Sequence, residues 1–148
     1  MIYIVYTDGS CRPEIGRAAY SYIIRTKTTC VNIKYSSYVG RHILEAEITA
    51  VKEAIKFLIN NKILSEGDTI KFFIDSLYTL KAYNSVLKDK ELPSNIKPEI
   101  MIEPRALVKK AVETGAKLYF NKVDAHQEEF NTNKACDSLA KIALIHNL

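Results

Sequence analysis

The chain has 148 residues, enough for one domain with a real hydrophobic core, and its 47% hydrophobic and 26% charged residues are ordinary for a globular protein. A net charge of +4 permits an anionic partner without requiring one. Three cysteines without metal-site spacing favour a reducing, cytoplasmic location. The N-terminal apolar run is too short for a signal peptide, and no stretch approaches a membrane span. We therefore expect one intracellular domain over residues 1–148.

Strand patterns fill the N-terminal part of the chain. Residues 1–7, 16–26 and 28–39 are rich in Tyr, Ile, Val and Thr, and predict three strands in hairpin succession. In 43–61 the apolar side chains change to helical spacing. This part of the chain predicts an antiparallel meander followed by a helix.

The C-terminal part alternates strands with helices. The predicted elements are strands at 69–75 and 116–125, helices at 76–87, 99–115 and 131–145, and a loop with two prolines at 88–99. Strands that are separated by helices tend to add to a sheet in parallel. The order βββαβααβα therefore predicts an α/β fold, with a mixed five-stranded sheet of three antiparallel strands and two parallel additions, and helices on both faces.

Two acids follow apolar runs that predict strands. Asp8, in the segment YTDGSC, follows the first run, and Asp75, in FFIDS, follows the fourth. In isolation each could be an ordinary turn former at a strand end. If the first and fourth strands are parallel neighbours, both carboxylates meet at the C-terminal end of the sheet, where open α/β sheets place their sites.

Two more acids lie on predicted helices. Glu47 shares a helical face with Ala50 and Val51, so we expect it to face the sheet, although it could be only an N-terminal helix charge. Asp137 lies at the border of the apolar stripe of the last helix, where it could be a solvated rim acid. Asn133 lies one turn earlier on the same side.

Convergence of these acids would create an electrostatic problem. Buried acids without partners are unfavourable, and their mutual repulsion raises their pKa values. A cation resolves both, and an all-oxygen ligand set favours Mg²⁺ or Mn²⁺. Two such ions can hold the attacking water and the leaving oxygen of a phosphodiester in line. Each structural alternative is reasonable for one residue alone, but the conjunction favours a metal site formed by Asp8, Glu47, Asp75 and Asp137.

Four motifs make the chain resemble a type 1 ribonuclease H. They are YTDGSC, AEITAVKEAI, FFIDSLYTL and VDAHQEEFNTNKACDSLAKIA, and they extend from the first predicted strand to the last helix. The resemblance implies the ribonuclease H-like fold, with the acidic tetrad of the family at Asp8, Glu47, Asp75 and Asp137 as metal ligands and catalytic residues. It also implies hydrolysis of the RNA strand of an RNA–DNA hybrid with two Mg²⁺ or Mn²⁺ ions, leaving 5′-phosphate and 3′-hydroxyl ends.

The resemblance further implies a role for His126, which precedes the last helix. The family has a His at this place that assists proton transfer or product release. The segment between His126 and Asp137 is about one residue longer than in familiar members, and this length affects how far the His126 side chain can reach toward the site. The alternative for a single His is a surface residue.

The resemblance also indicates where the nucleic acid would lie. Residues 9–12 would line the RNA strand, and Arg41 could hold a phosphate or be a solvated strand-end charge. Asn133 could contact nucleic acid or cap the last helix. The candidate contacts are Gly9, Ser10, Cys11, Arg12, Arg41, His42, Ser76 and Asn133.

The chain departs from the family in its binding segments. Many members carry a polar Thr-Asn run before the helix that holds the second acid, where this chain has GRHILEAE. Some bacterial members carry a basic, Trp-bearing protrusion after the second helix, whereas this chain has no Trp and the mixed-charge segment KDKELPSNIKPE. We therefore expect few phosphate contacts and weak hybrid binding.

Two other functions fit the same residues. The chain could be a nuclease or resolvase of the same fold that acts on another nucleic acid, such as a DNA junction. It could also be a non-catalytic binding module, or a domain that works only beside a polymerase. The complete set of acids favours an active enzyme, which we expect to be a monomer.

Overall fold

Among the residues that the structure describes, five strands and four helices follow in the predicted order. The computed structural model describes residues 1–124 and 128–148, with side chains at all of these positions except 128–130. The strands are β1 (Ile2–Arg12), β2 (Arg17–Arg25), β3 (Cys30–Val39), β4 (Thr69–Ile74) and β5 (Lys117–Lys122). The helices are α1 (Ile43–Asn60), α2 (Leu77–Leu87), α3 (Ile102–Glu113) and α4 (Glu128–His146), with short 3₁₀ turns at Pro13–Ile15 and Pro98–Met101. The order βββαβααβα is confirmed.

The strands form one mixed sheet in the order β3-β2-β1-β4-β5. β1, β2 and β3 pair antiparallel, and β4 and β5 join β1 in parallel. The parallel pairs end in register, with Thr7 beside Ile74 and Ile74 beside Lys122. The predicted sheet is confirmed, and its central strand is β1.

Helices cover both faces of this sheet, as predicted. Along β1 successive side chains alternate between the faces. Val5 belongs to the large core under α1, α2 and α3, whereas Tyr6 packs with Cys136 of α4 on the other face. The apolar stripe of α1 predicted from the sequence is buried against the sheet.

The first strand continues further than predicted. The sequence indicates a strand that ends in a turn at Asp8, and this prediction is wrong. β1 extends to Arg12 because β2 pairs with it antiparallel beyond Asp8, with Asp8 beside Ser21 and Arg12 beside Arg17. Asp8 therefore lies inside a strand, at the point where β1 extends past β4.

The later elements differ from prediction mainly at their ends. α3 begins at Ile102, after a 3₁₀ turn, and holds Pro104 in its first turn, where a missing N–H costs nothing. Gly115 adopts φ +89° just after the helix cap, which suits glycine. α4 begins at Glu128 instead of residue 131.

Among the described residues, none of the helices combines the length and the apolar character that a bilayer crossing needs.

Candidate active site

The sheet register brings Asp8 and Asp75 together. β1 and β4 pair in parallel as far as Thr7 and Ile74, so each acid is the next residue of its chain segment. Neighbouring strands lie about 4.8 Å apart, which places the two acids side by side at the C-terminal end of the parallel part. The predicted meeting of these positions follows from the register.

Gly9 lets the helix that carries Glu47 approach the strand that carries Asp8. A Cβ atom at Gly9 would lie 2.6 Å from the backbone carbon of Ala46 and 2.6 Å from the backbone nitrogen of Glu47. Real Cβ atoms do not come this close to a backbone, so only glycine fits here without a shift of α1. The sequence assigned Gly9 to nucleic-acid contact, and the structure adds this packing role.

The carboxyl group of Asp8 is close enough to form hydrogen bonds with those of Glu47 and Asp137. Burial and a hydrogen bond to Asp137 raise the pKa of Asp8 to about 7. Burial and the charge of Asp8 raise the pKa of Glu47 well above its usual value. Burial alone would also raise the pKa of Asp137, but hydrogen bonds from Asp8 and Lys141 lower it. Burial therefore shifts both inner acids toward their protonated forms in the metal-free protein.

One carboxylate oxygen of this cluster has no hydrogen-bond partner in the part of the chain that the structure describes. Oε2 of Glu47 is buried and accepts no hydrogen bond from the described residues. An unpaired buried oxygen is unfavourable, and a bound cation would satisfy it. All the side-chain donors of the cluster are carboxylate oxygens, which fits a hard divalent cation such as Mg²⁺ or Mn²⁺.

The two outer acids of the cluster, Asp75 and Asp137, each pair with a lysine. Lys141 Nζ lies 2.9 Å from Asp137 Oδ2, and Lys122 Nζ lies 3.3 Å from Asp75 Oδ1. Within 1–124 and 128–148, no three His, Cys, Asp or Glu side chains form a metal cage as they stand. Coordination of a metal by all four acids stays a prediction.

Sequence reasoning missed both lysines. Lys141 follows Asp137 by four residues on one helix, a spacing that could have indicated the pair. Lys122 lies 47 residues from Asp75 and reaches it only through the register of β4 and β5, so no local signal could have found it.

Side-chain hydrogen bonds fasten α4 to the sheet next to Asp137. Ser21 Oγ donates to the carbonyl of Cys136 at 2.5 Å, and Asn133 Nδ2 donates to the carbonyl of Thr7 at 3.4 Å. Asn133 is 7% exposed and lies inside α4, because the helix begins at Glu128. The alternative that Asn133 caps the helix is therefore wrong.

The predicted cationic contacts gather around the turn after β1. Arg12 Nε donates to Glu14 Oε1 at 3.2 Å, and Arg41 Nη1 donates to the carbonyl of Pro13 at 3.0 Å. The Arg41 guanidinium lies over Gly16, which has φ +66° and no side chain to displace it. Both arginines are exposed, and Arg41 is held against the segment that follows Arg12.

The remaining predicted contacts differ in their exposure and in their hydrogen bonds. Ser10 and Cys11 are partly exposed on β1, and His42 is exposed at the start of α1. Ser76 caps α2, because its Oγ accepts a hydrogen bond from the Thr79 backbone nitrogen at 3.3 Å. His126 lies outside the described residues, and its role stays a prediction.

The raised pKa of Asp8 predicts a pH-dependent stability. The pKa of an unfolded Asp is about 3.9, whereas the pKa of Asp8 in the folded protein is about 7. Between these values the folded state keeps a proton that the unfolded state has lost, so the stability of metal-free protein falls as pH rises. Asp8→Asn removes this effect, so its stability gain over wild type should grow up to about pH 7 and then level off. Thermal melts in chelator between pH 5 and pH 8 would measure the gain, and a gain that is constant with pH would contradict the assignment.

Known proteins with this fold match nearly the whole chain. The RNase H1 of the halophilic archaeon Halobacterium salinarum covers 99% of both chains at 17% identity, with a TM-score of 0.71. The LC11-RNase H1 isolated from compost, solved in complex with an RNA/DNA hybrid, covers 97% of both chains at 17% identity, with a TM-score of 0.71. The protease–reverse transcriptase of prototype foamy virus matches 95% of this chain through 20% of its own, at 21% identity and a TM-score of 0.65. These likenesses establish the fold.

The family follows from the sequence as a whole. No curated protein sequence matches the chain closely enough to supply a function. The family model described as RNase H matches residues 2–145, a span that includes all four acids of the site. The chain therefore belongs to the ribonuclease H family, nucleases that hydrolyse the RNA strand of RNA–DNA hybrids.

Proposed function

We propose that this protein is an endoribonuclease that cleaves the RNA strand of RNA–DNA hybrids with two divalent cations, leaving 5′-phosphate and 3′-hydroxyl ends. The observation that carries the proposal is the buried Oε2 of Glu47, which has no hydrogen-bond partner among the described residues and lies beside Asp8, whose pKa is raised to about 7 by burial. An acid cluster that is held at this energetic disadvantage is typical of a metal-binding site. The hybrid bound to the LC11 enzyme, which has the same fold, supports the substrate class.

Asp8, Glu47, Asp75 and Asp137 would hold the ions. When bound, Mg²⁺ or Mn²⁺ would lower the pKa of a water molecule and stabilise the charge that develops on the phosphate. The contacts of Ser21 and Asn133 with α4 and β1 keep Asp137 in place beside Asp8. The close approach at Gly9 keeps Glu47 in place from the other side.

The end of β1 offers a surface for the RNA strand. Residues 8–12 pair with β2 on one edge, while β4 ends beside Thr7. Among the described residues no strand lies on the other edge of this segment. Backbone groups of residues 9–12 can therefore face a substrate, with Arg12 and Arg41 at the far end to hold phosphates.

A substrate panel tests the function. The isolated chain is incubated with an end-labelled RNA–DNA hybrid, double-stranded RNA or branched DNA, each with Mg²⁺, with Mn²⁺ and with chelator. The proposal expects internal cuts in the RNA strand of the hybrid only, in either metal and not in chelator. Products that a 5′-phosphate-dependent exonuclease degrades would establish the predicted ends.

The same panel separates the alternatives. Cleavage of branched DNA in preference to the hybrid would favour a resolvase. Binding without cleavage would favour a non-catalytic module or a domain that needs a partner, as the match to one fifth of a reverse transcriptase chain allows. Adding a polymerase in trans would then show whether a partner restores activity.

Substrate affinity should depend on Arg41 more than on the segment after α2. Lys88 and Lys90 line a groove with Lys81 and with Glu91, whose charge offsets part of theirs. We expect Arg41→Ala to raise the KM several-fold at unchanged kcat, and to reduce the slope of log affinity against log salt by roughly 0.9 for the lost phosphate contact. Lys88→Ala combined with Lys90→Ala should change little.

Salt titrations with a fixed hybrid measure both effects. A wild-type slope that is steep and collapses in the double lysine variant would identify the groove as the main binding surface. That result would contradict the expectation of weak, distributive cutting that depends on the arginines.

A further inference from the structure

The two outer acids of the site each have an ammonium partner. Lys122 Nζ donates to the backbone carbonyl of Asp75 and to its Oδ1, which is 3.3 Å away. Lys141 Nζ lies 2.9 Å from Oδ2 of Asp137. β5 supplies one lysine and α4 the other.

Rigid elements supply both pairs. The parallel register sets Lys122 beside Ile74, so its side chain reaches Asp75 at the end of the neighbouring strand. Lys141 lies one helical turn after Asp137, the spacing at which side chains meet on a helix. Asp75 directly follows the last residue of β4 and Lys122 is the last residue of β5, so the pairing of these strands sets their contact.

The lysines bond carboxylates that the proposed metal site would need. Asp75 Oδ1 and Asp137 Oδ2 accept from the lysines, and carboxylate oxygens of the same residues are the donors available to a divalent cation. An ammonium group and a cation compete for such an oxygen, because both need its lone pairs and they repel each other. The bond from Lys122 to the Asp75 carbonyl uses a different oxygen and can persist when the carboxylate turns away.

We propose that Lys122 and Lys141 are internal counter-ions, which hold Asp75 and Asp137 in the metal-free protein and compete with the divalent cation for them. This inference rests on the proposed metal-dependent function. The lysines are positioning residues, since they act through the acids and not on the substrate. They lower the metal affinity of the site. In the metal-free protein they also neutralise two carboxylates that would otherwise be unpaired.

The effect of each lysine should be modest. Both side chains are at least half exposed, at 50% for Lys122 and 63% for Lys141, so water and salt weaken the pairs. Exposed pairs of this kind correspond to changes of about two- to fivefold in an equilibrium constant. Removing one lysine should therefore tighten metal binding about two- to fivefold, and removing both should multiply the gains.

Calorimetric titration of Mn²⁺ into the protein tests the inference without measuring activity. The variants are Lys122→Met, Lys141→Met and the double change, which keep an apolar stem and remove the ammonium. Lys122→Arg is the conservative variant and should bind Mn²⁺ like wild type, because it can still pair with Asp75. Lys117→Met is the control for net charge, since Lys117 lies at the other end of β5, roughly 16 Å away at about 3.3 Å per residue.

The expected result is tighter Mn²⁺ binding in the three Met variants of Lys122 and Lys141, with a gain that shrinks as NaCl increases. Unchanged or weaker binding in those variants would overturn the inference. An equal gain in Lys117→Met would also overturn it, because the effect would then be one of net charge. If wild type and every variant bind no Mn²⁺, the proposed function fails together with the inference, whereas normal binding without any lysine effect leaves the proposed function intact.

Discussion

Asp8→Asn should reduce cleavage of an RNA–DNA hybrid by roughly a thousandfold or more while the protein stays folded. Loss of one charged ligand removes several kcal/mol of transition-state stabilisation, and each 1.36 kcal/mol is about tenfold in rate. The fold should not suffer, because Asp8 is 6% exposed and burial already favours its neutral form. An uncharged amide therefore replaces a carboxyl group that is unfavourable when ionised. Single-turnover cleavage of labelled hybrid and thermal melts in chelator measure the two effects.

Asp75→Asn should reduce cleavage to a similar extent. Its stability should change little, because the Asp75 carboxylate lies in an exposed pair with Lys122. Asp89→Asn is a matched control, since the Asp89 side chain is 99% exposed and lies away from the acids, near Arg105. The control should keep wild-type rates. Rates near wild type in Asp8→Asn or Asp75→Asn would remove those acids from the mechanism.

Gly9→Ala should damage both stability and activity, through sterics alone. The added Cβ would lie 2.6 Å from backbone atoms of Ala46 and Glu47, which cannot rotate away as a side chain could. Overpacking of this kind typically costs about 1–3 kcal/mol, because α1 must move off the sheet. Glu47 moves with α1, and a misplacement of about 1 Å can lower a rate by about a hundredfold.

Urea denaturation and cleavage rates in the native baseline separate the two losses. Thr28→Ala is the control, since Thr28 is exposed in the turn between β2 and β3, near Met1 and Ile2 at the other end of the sheet. It should retain both stability and rate within a few-fold. If Gly9→Ala loses stability but cleaves at the wild-type rate once folded, the close approach serves packing and does not position Glu47.

The order of elements could be predicted because each has a local signature. Apolar alternation and helical spacing are repeated within about ten residues, so strands and helices are visible without their partners. The acids were visible for the same reason, because an acid directly after a run such as KFFI, or on an apolar helix face such as that of Glu47, departs from the local pattern. The family resemblance then added His126 and the binding residues, which no local pattern would have assigned.

Features that depend on pairing between distant segments are visible only in the folded protein. A strand has no intrinsic end, so the continuation of β1 past Asp8 depends on β2, and an acid that suits a turn remains inside a strand. The need for glycine at Gly9 arises from the approach of α1, and the partner of Asp75 arises from the register of β5. The protonation of Asp8 likewise depends on burial and on Asp137, which is supplied by the last helix. The sequence predicts which side chains can carry the chemistry. Their charge states and counter-ions depend on the fold, because desolvation and Coulomb interactions act through space and not along the chain.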